Sequence, residues 1–442
     1  MNKSHKSTGS RPEPYHPIVT APHLSQFWAV PECAKLIEED GVSPGITYPA
    51  GFLASGVAAG LKESGKPDVG AVAVAPELRE RVSSSAVFTP NAFAAAPVIV
   101  TRSVCDLGRL KAVVINSGNA NACTGEQGIV AAKAMQEAAA KELGLTASEV
   151  ALGSTGIIGV QLDSDAASAG ARKAVRSLTP NGGPQFSVAI MTTDRFPKAC
   201  ALEVQTEQGT FRVGACAKGA GMISPAMATM LCVATTDALL TPLEAQALFA
   251  QAVAQTFNRV TVDGQMSTND SAIFLASGAS GIRPAGESLY RLGRALEAVL
   301  LRVALMMVAD GEGATKIVRL KVTGAESAAQ AEKTARCVAD SPLVKTAMHG
   351  SDPNWGRVMA AAGAAMAGRA LPRAALWLCG IQVVAHAEAC SLSSSEQSAL
   401  HRKMKGPEID IVLDLGVGES SSEVYFADLG HEYVNINAEY HT

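Results

Sequence analysis

Hydrophobic positions along this chain fall into two textures, one from about residue 41 to residue 315 and another beyond residue 316. In the first, short runs of Ala, Val, Ile and Leu alternate with longer stretches of helical spacing. Strands are predicted at 71–75, where Ala-Val-Ala-Val-Ala stands, at 97–101, and more strongly at 110–116. Residues 129–143 repeat apolar positions at helical spacing and carry Glu137 and Lys141 four residues apart. Thr241-Pro-Leu-Glu244 is a capping box with proline at the first helical position, so a helix is predicted from there to about residue 257. Another long helix is predicted over 288–308. Beyond 316 the pattern turns to short strands at 317–322, 376–384, 408–413 and 422–426, with helices at 329–338 and 394–403. That mixture predicts a smaller C-terminal α+β domain over 316–442.

Composition narrows the function classes. The 442 residues are 48% hydrophobic and 18% charged, which suits a closely packed globular protein of two or three domains. Net charge is −4 and the Lys and Arg are dispersed, so no basic stripe exists to neutralise phosphates and nucleic-acid binding is not expected. The most apolar helical run, 298–309, is broken by Arg302 and falls short of the roughly 20 residues of a membrane span. The nine cysteines are odd in number and contain no Cys-x-x-Cys pair, and the eight histidines lack ligand spacing. Reduced thiols of an intracellular protein and no metal are the expectation. Residues 1–40 weakly resemble an organelle transit peptide, with Glu13 the lone acid before Pro31. Five prolines in that stretch spoil an amphipathic helix, so an extension that is poorly ordered or clings to the surface is expected. Cytoplasmic location is the expectation, with a mitochondrion or plastid the alternative if this segment is a transit peptide.

Candidate chemistry concentrates at 217–238. A glycine-rich loop from Lys218 stops at Pro225, three small or unbranched residues follow, then Thr229 heads an apolar strand-like run over 230–234. One reading is simply the start of a core strand. The other is that the Ala228–Thr229 bond breaks, giving an N-terminal threonine that carries its own base. An α-amine titrates at about 7.7–8.0 and can take the proton from its own Oγ. Two further polar glycine loops, at 116–125 and 153–159, match no phosphate-binding motif. Their backbone N–H groups and short hydroxyls suit an oxyanion. No Gly-x-Ser-x-Gly elbow is present, which leaves Thr229 as the candidate nucleophile.

Taken together, nine segments resemble the bifunctional ornithine acetyltransferase/glutamate N-acetyltransferase family of arginine biosynthesis. They are 116–125, Ser-Thr-Gly-Ile-Ile-Gly at 154–159, Met-Thr-Thr-Asp at 191–194, 218–238, 262–270, Asp-Gly-Glu-Gly-Ala-Thr-Lys at 310–316, Ser-Pro-Leu-Val-Lys-Thr-Ala at 341–347, Asp-Pro-Asn-Trp-Gly-Arg at 352–357, and Ile-Asn-Ala-Glu-Tyr-His-Thr at 436–442. They keep the family's order.

The resemblance implies an αββα sandwich like that of N-terminal nucleophile hydrolases over 41–315, cut by self-processing at 228/229 into α and β chains. It implies a tail from the C-terminal domain at the site. Thr229 would be the nucleophile, with the Thr155 hydroxyl and Gly156 N–H as the oxyanion hole. Thr192, Lys218, Glu312, Asn437 and Thr442 would bind substrate. The implied reaction is ping-pong: Thr229 takes the acetyl group of N2-acetylornithine and passes it to glutamate. No cofactor is implied, although acetyl-CoA is an alternative donor, and assembly is expected as a homo-oligomer of αβ units. Three departures stand out. Gln265 and Met266 replace an acid and a hydroxyl usual in the family, the tail reads Tyr440-His441-Thr442 where Thr-Thr is common, and Arg195 follows Thr-Thr-Asp. They leave three alternatives: an acyltransferase of specialised metabolism, an aminopeptidase or amidase, and an unprocessed homologue without activity.

Overall fold

The computed structural model describes residues 24–39, 41–224 and 230–439. Three sheets form among them. Numbered in chain order, the six-stranded sheet runs Ala34–Leu36 (β1), Lys198–Thr206 (β7), Gly209–Lys218 (β8), Leu231–Thr236 (β9), Ser271–Ala276 (β11) and Ser83–Phe88 (β4). The four-stranded sheet runs Phe52–Val57 (β2), Val69–Val74 (β3), Ala112–Asn119 (β5) and Val150–Ile157 (β6). The seven-stranded sheet runs Val260–Thr261 (β10), Ser420–Ala427 (β17), Ile317–Ala325 (β12), Glu408–Asp414 (β16), Ala375–Leu378 (β13), Ile381–Ala385 (β14) and Glu388–Ala389 (β15). The helices are Ala96–Val104 (α1), Gly125–Leu143 (α2), Ser164–Arg176 (α3), Gly183–Ala189 (α4), Pro242–Gln255 (α5), Glu287–Ala309 (α6), Ala328–Ala339 (α7), Pro342–His349 (α8), Trp355–Ala365 (α9), Ser394–Met404 (α10) and His431–Glu439 (α11).

Strand parity shows how the first two sheets stack. In β9, Leu231 and Val233 face a core shared with Val72 and Val74 of β3, whereas Cys232 and Ala234 face α5 and α6. On the other side, Ala71 and Ala73 of β3 turn toward α1, α2 and α3. Successive side chains of a strand point to opposite faces, so strands apolar at every position must be buried on both. Both sheets are, and the result is the expected αββα sandwich. The seven-stranded sheet packs one face against α7, α8, α9 and α10.

Several local expectations need correction. Residues 97–101 are helical, inside α1. Their β-branched side chains suggest a strand, but Pro97 sits in the first turn, where its missing N–H costs nothing. Val98 and Val100 are buried there. Residues 376–384 are two strands, because Cys379 and Gly380 both take positive φ and turn the chain into a tight hairpin. The C-terminal unit also holds α8, α9 and α11, which were not anticipated. The seven-stranded sheet is not confined to residues after 316, since β10 pairs in parallel with β17. The extension assigned to 1–40 is already part of the fold from Leu24 onward. Trp28 is buried with its indole Nε1 donating to Ala298 O at 2.7 Å, and β1 pairs with β7. The nine cysteines are free, and of these Cys200, Cys216 and Cys232 are buried.

Candidate active site

Thr155 and Gly156 lie at the end of β6, beside β5. Gly156 has φ +133°, and a Cβ there would stand 2.4 Å from the Gly118 carbonyl carbon. Only glycine fits, so two backbones approach closely at this point. Asn269, from the β10–β11 turn, donates through Nδ2 to Ser154 O at 2.8 Å and Ala120 O at 2.6 Å. That ties the turn to both polar glycine loops and fixes the peptide preceding Thr155.

Lys218 ends β8. It pairs in register with Leu231, so its side chain sits next to the head of β9, just after position 229. Its Nζ donates to Thr155 Oγ1 at 3.2 Å and Thr192 Oγ1 at 2.7 Å. A hydroxyl that accepts from an ammonium keeps its own proton free to donate elsewhere. Accepting from Lys218 thus leaves the Thr155 hydroxyl proton available for another acceptor. Burial pushes the Lys218 ammonium below the ordinary lysine value, and the Asp194 carboxylate at 3.9 Å opposes that shift.

Behind Lys218 lies a buried ionic row. Asp194 accepts the Thr192 and Gly219 amides at 2.9 and 2.8 Å, so it anchors the backbone on both sides of the lysine's contacts. Lys198 bridges Asp194 and Asp310 at 2.6 Å each, and Arg195 pairs with Asp310 at 2.7 Å. Burial opposes ionisation of Asp194, yet Lys198 and Lys218 hold its carboxyl well below the usual range.

The opposite wall comes from the C-terminal part of the chain. Glu312, after α6, packs against Gly221, where a Cβ would stand 2.5 Å from the Glu312 carboxyl. Asn437 of α11 donates to Glu312 Oε2 at 2.9 Å. Asp263 accepts the Met222 and Ile223 amides at 2.6 and 2.9 Å, which clamps the loop leading toward position 225.

These segments enclose a cavity of about 220 Å³. It is lined by Thr155, Gly156, Thr192, Lys218, Glu312 and Asn437, all six singled out in the sequence, and also by Asp263, Gln265, Asn269 and Tyr433. Ala228, Thr229 and Thr442 lie outside the described residues. Sequence reasoning gave Asp194, Asp263 and Asn269 no individual role. All three occur within quoted motifs, but their work is to hold backbone, and nothing in a linear motif separates such a residue from a ligand-binding one. Among the described residues no group of three or more His, Cys, Asp or Glu is placed to hold a metal ion. No helix there is long and apolar enough to cross a membrane.

An αββα protein with a small charged cavity at its strand ends is the class that fold and site define. The sequence model of the ArgJ family matches residues 53–442, and the chain belongs to that family. It is 44% identical over 393 residues to the arginine biosynthesis bifunctional protein ArgJ of Nitratidesulfovibrio vulgaris, covering 89% of this chain and 98% of that protein. It is 42% identical to the protein of the same name from Symbiobacterium thermophilum, covering 90% of this chain and 98% of that one. Among solved structures, an ornithine acetyltransferase from Mycobacterium tuberculosis complexed with ornithine aligns at 40% identity over 45% of this chain and all of that chain, with a TM-score of 0.39.

Proposed function

We propose that the chain cuts itself between Ala228 and Thr229 and then moves an acetyl group from N2-acetylornithine to glutamate in arginine biosynthesis. Family membership supports the reaction class. The observation that carries the residue roles is the convergence of Thr155, Gly156, Thr192, Lys218, Glu312 and Asn437 on one cavity from distant segments. Thr229 Oγ, its proton taken by the α-amine of the same residue, attacks the acetyl carbonyl. The Thr155 hydroxyl and Gly156 N–H receive the oxyanion. Collapse expels ornithine and leaves acetyl-Thr229. The amine of glutamate then attacks, and N-acetylglutamate departs. Lys218 supplies a cation for the amino acid's carboxylate and Glu312 an anion for its ammonium, each a charge-assisted contact.

The alternative amidase chemistry would send the acetyl group to water. Incubating the enzyme with N2-acetylornithine and glutamate separates the two. Ornithine and N-acetylglutamate are expected in equal amounts. Ornithine in large excess, with free acetate, would instead assign a hydrolase.

A further inference from the structure

Glutamate sets a charge problem for the cavity of about 220 Å³. N2-acetylornithine and glutamate both bring an α-carboxylate, but one side chain ends in an ammonium and the other in a second carboxylate. Among the described residues lining that cavity, Lys218 is the only cation, and Asp263 and Glu312 are acids. With Lys218 on the α-carboxylate, the ornithine ammonium meets acids and the side-chain carboxylate of glutamate meets no cation. A second cavity of about 430 Å³ adjoins the first, with Thr192, Thr193 and Glu312 lining both. Lys62, Lys66 and Arg195 line this second one.

Lys62 is firmly placed there. It lies in the connection between β2 and β3, where buried Asp68 accepts the Ala59, Leu61 and Lys62 amides at 2.6, 2.7 and 3.0 Å. Its stem packs on Gly118 of β5, where a Cβ would stand 3.0 Å from Lys62 Cγ. Gly118 is also the backbone that meets Gly156, so Lys62 is rooted one backbone layer behind the oxyanion hole. Its Nζ donates to Pro67 O at 2.8 Å, a neutral partner. Burial pushes the ammonium down to about 8 against the pull of Asp68, and Lys218 adds to the shift. A cation so poorly solvated gains from an anion brought to it. The charges opposite are already matched: Arg195 pairs with Asp310, and Asp194 and Asp310 share Lys198. Glu432 of α11 is exposed and accepts from Asn435 Nδ2 at 3.1 Å.

We propose that the second cavity is the side-chain subsite of the acceptor, in which the γ-carboxylate of glutamate pairs with the Lys62 ammonium while the side-chain ammonium of ornithine stops at Glu312. This rests on the acetyl-transfer reading above. The two substrates then share the sites for the α-carboxylate and the reacting nitrogen, and part only at their side-chain ends.

The two half-reactions separate the roles, because in a ping-pong scheme kcat/KM for each substrate reports the half that uses it. In Lys62→Met, kcat/KM for glutamate is expected to fall about tenfold or more, the worth of one charge-assisted contact, with that for N2-acetylornithine within about twofold of wild type. Glutamine has the shape of glutamate without the charge. The wild type is expected to acetylate it at least about tenfold less efficiently than glutamate, and K62M to lose that preference. Equal losses with both substrates, or no loss with either, overturn the assignment. So does a wild type that acetylates glutamine as readily as glutamate, a comparison that holds even if K62M fails to fold. A wild-type enzyme that forms no N-acetylglutamate from N2-acetylornithine and glutamate contradicts the transfer reading itself, so the two failures are distinguishable.

Discussion

Replacing Thr229 with alanine is expected to leave a single 442-residue chain and to abolish acetyl transfer. One side chain is asked to do both jobs. Cleavage needs a hydroxyl next to the 228–229 amide, and transfer needs that hydroxyl together with the amine that cleavage exposes. Alanine supplies neither the nucleophile nor, without cleavage, the base. Loss of a nucleophile typically costs on the order of 10⁴–10⁶ in kcat. The cavity itself should persist, because Lys218, Thr155, Thr192 and Glu312 are held by contacts independent of residue 229. T229A should therefore still bind ornithine, measured by calorimetry, while a denaturing gel shows one band. Two bands from T229A would place the cut elsewhere.

The second large effect is on stability. Lys198 lies between two carboxylates, and all three side chains are fully buried. Burial disfavours the ammonium, but Asp194 and Asp310 together hold its pKa above the ordinary lysine value. Lys198→Met leaves both acids buried without their shared cation, a change that costs about 3–5 kcal/mol. At about 2 °C per kcal/mol, the melting temperature should fall by roughly 6–10 °C. The pH dependence identifies the cause. In the wild type, Asp194 is held below its usual range, so its contribution is present above that range and is lost on acidification. In K198M the buried acids rise instead, and a folded state that takes up protons more readily than the unfolded one gains stability as pH falls. The deficit should narrow between pH 8 and pH 5. A gap independent of pH would point to packing alone. Since Asp194 also holds the Thr192 and Gly219 amides, a raised KM should accompany the loss of stability.

Much of this molecule was legible before its fold. Alternation and capping signals placed β3, β9, α5 and α6, and the polar glycine loops marked the strand ends where the cavity forms. The misreading of 97–101 has a physical cause. Val98, Ile99 and Val100 favour a strand locally, but tertiary packing against the four-stranded sheet overrides that preference. For α8 and α9 the signal was present and unused: the Ser341 hydroxyl caps at Val344 N, followed by Pro342, and the Asn354 side chain caps at Arg357 N. What no linear pattern reveals is which polar residue of a motif works on the backbone. Asn269 and Asp270 are neighbours, yet Asn269 donates to Ser154 O and Ala120 O whereas Asp270 accepts the Met230 amide.

The central claim is that Thr229 becomes an amino terminus and carries the acetyl group. Intact mass spectrometry of the purified protein, with and without N2-acetylornithine, tests it most directly. Two chains are predicted, ending at Ala228 and beginning at Thr229, with the second gaining one acetyl group when substrate is present. An uncut chain, or a second chain that never acetylates, would contradict it.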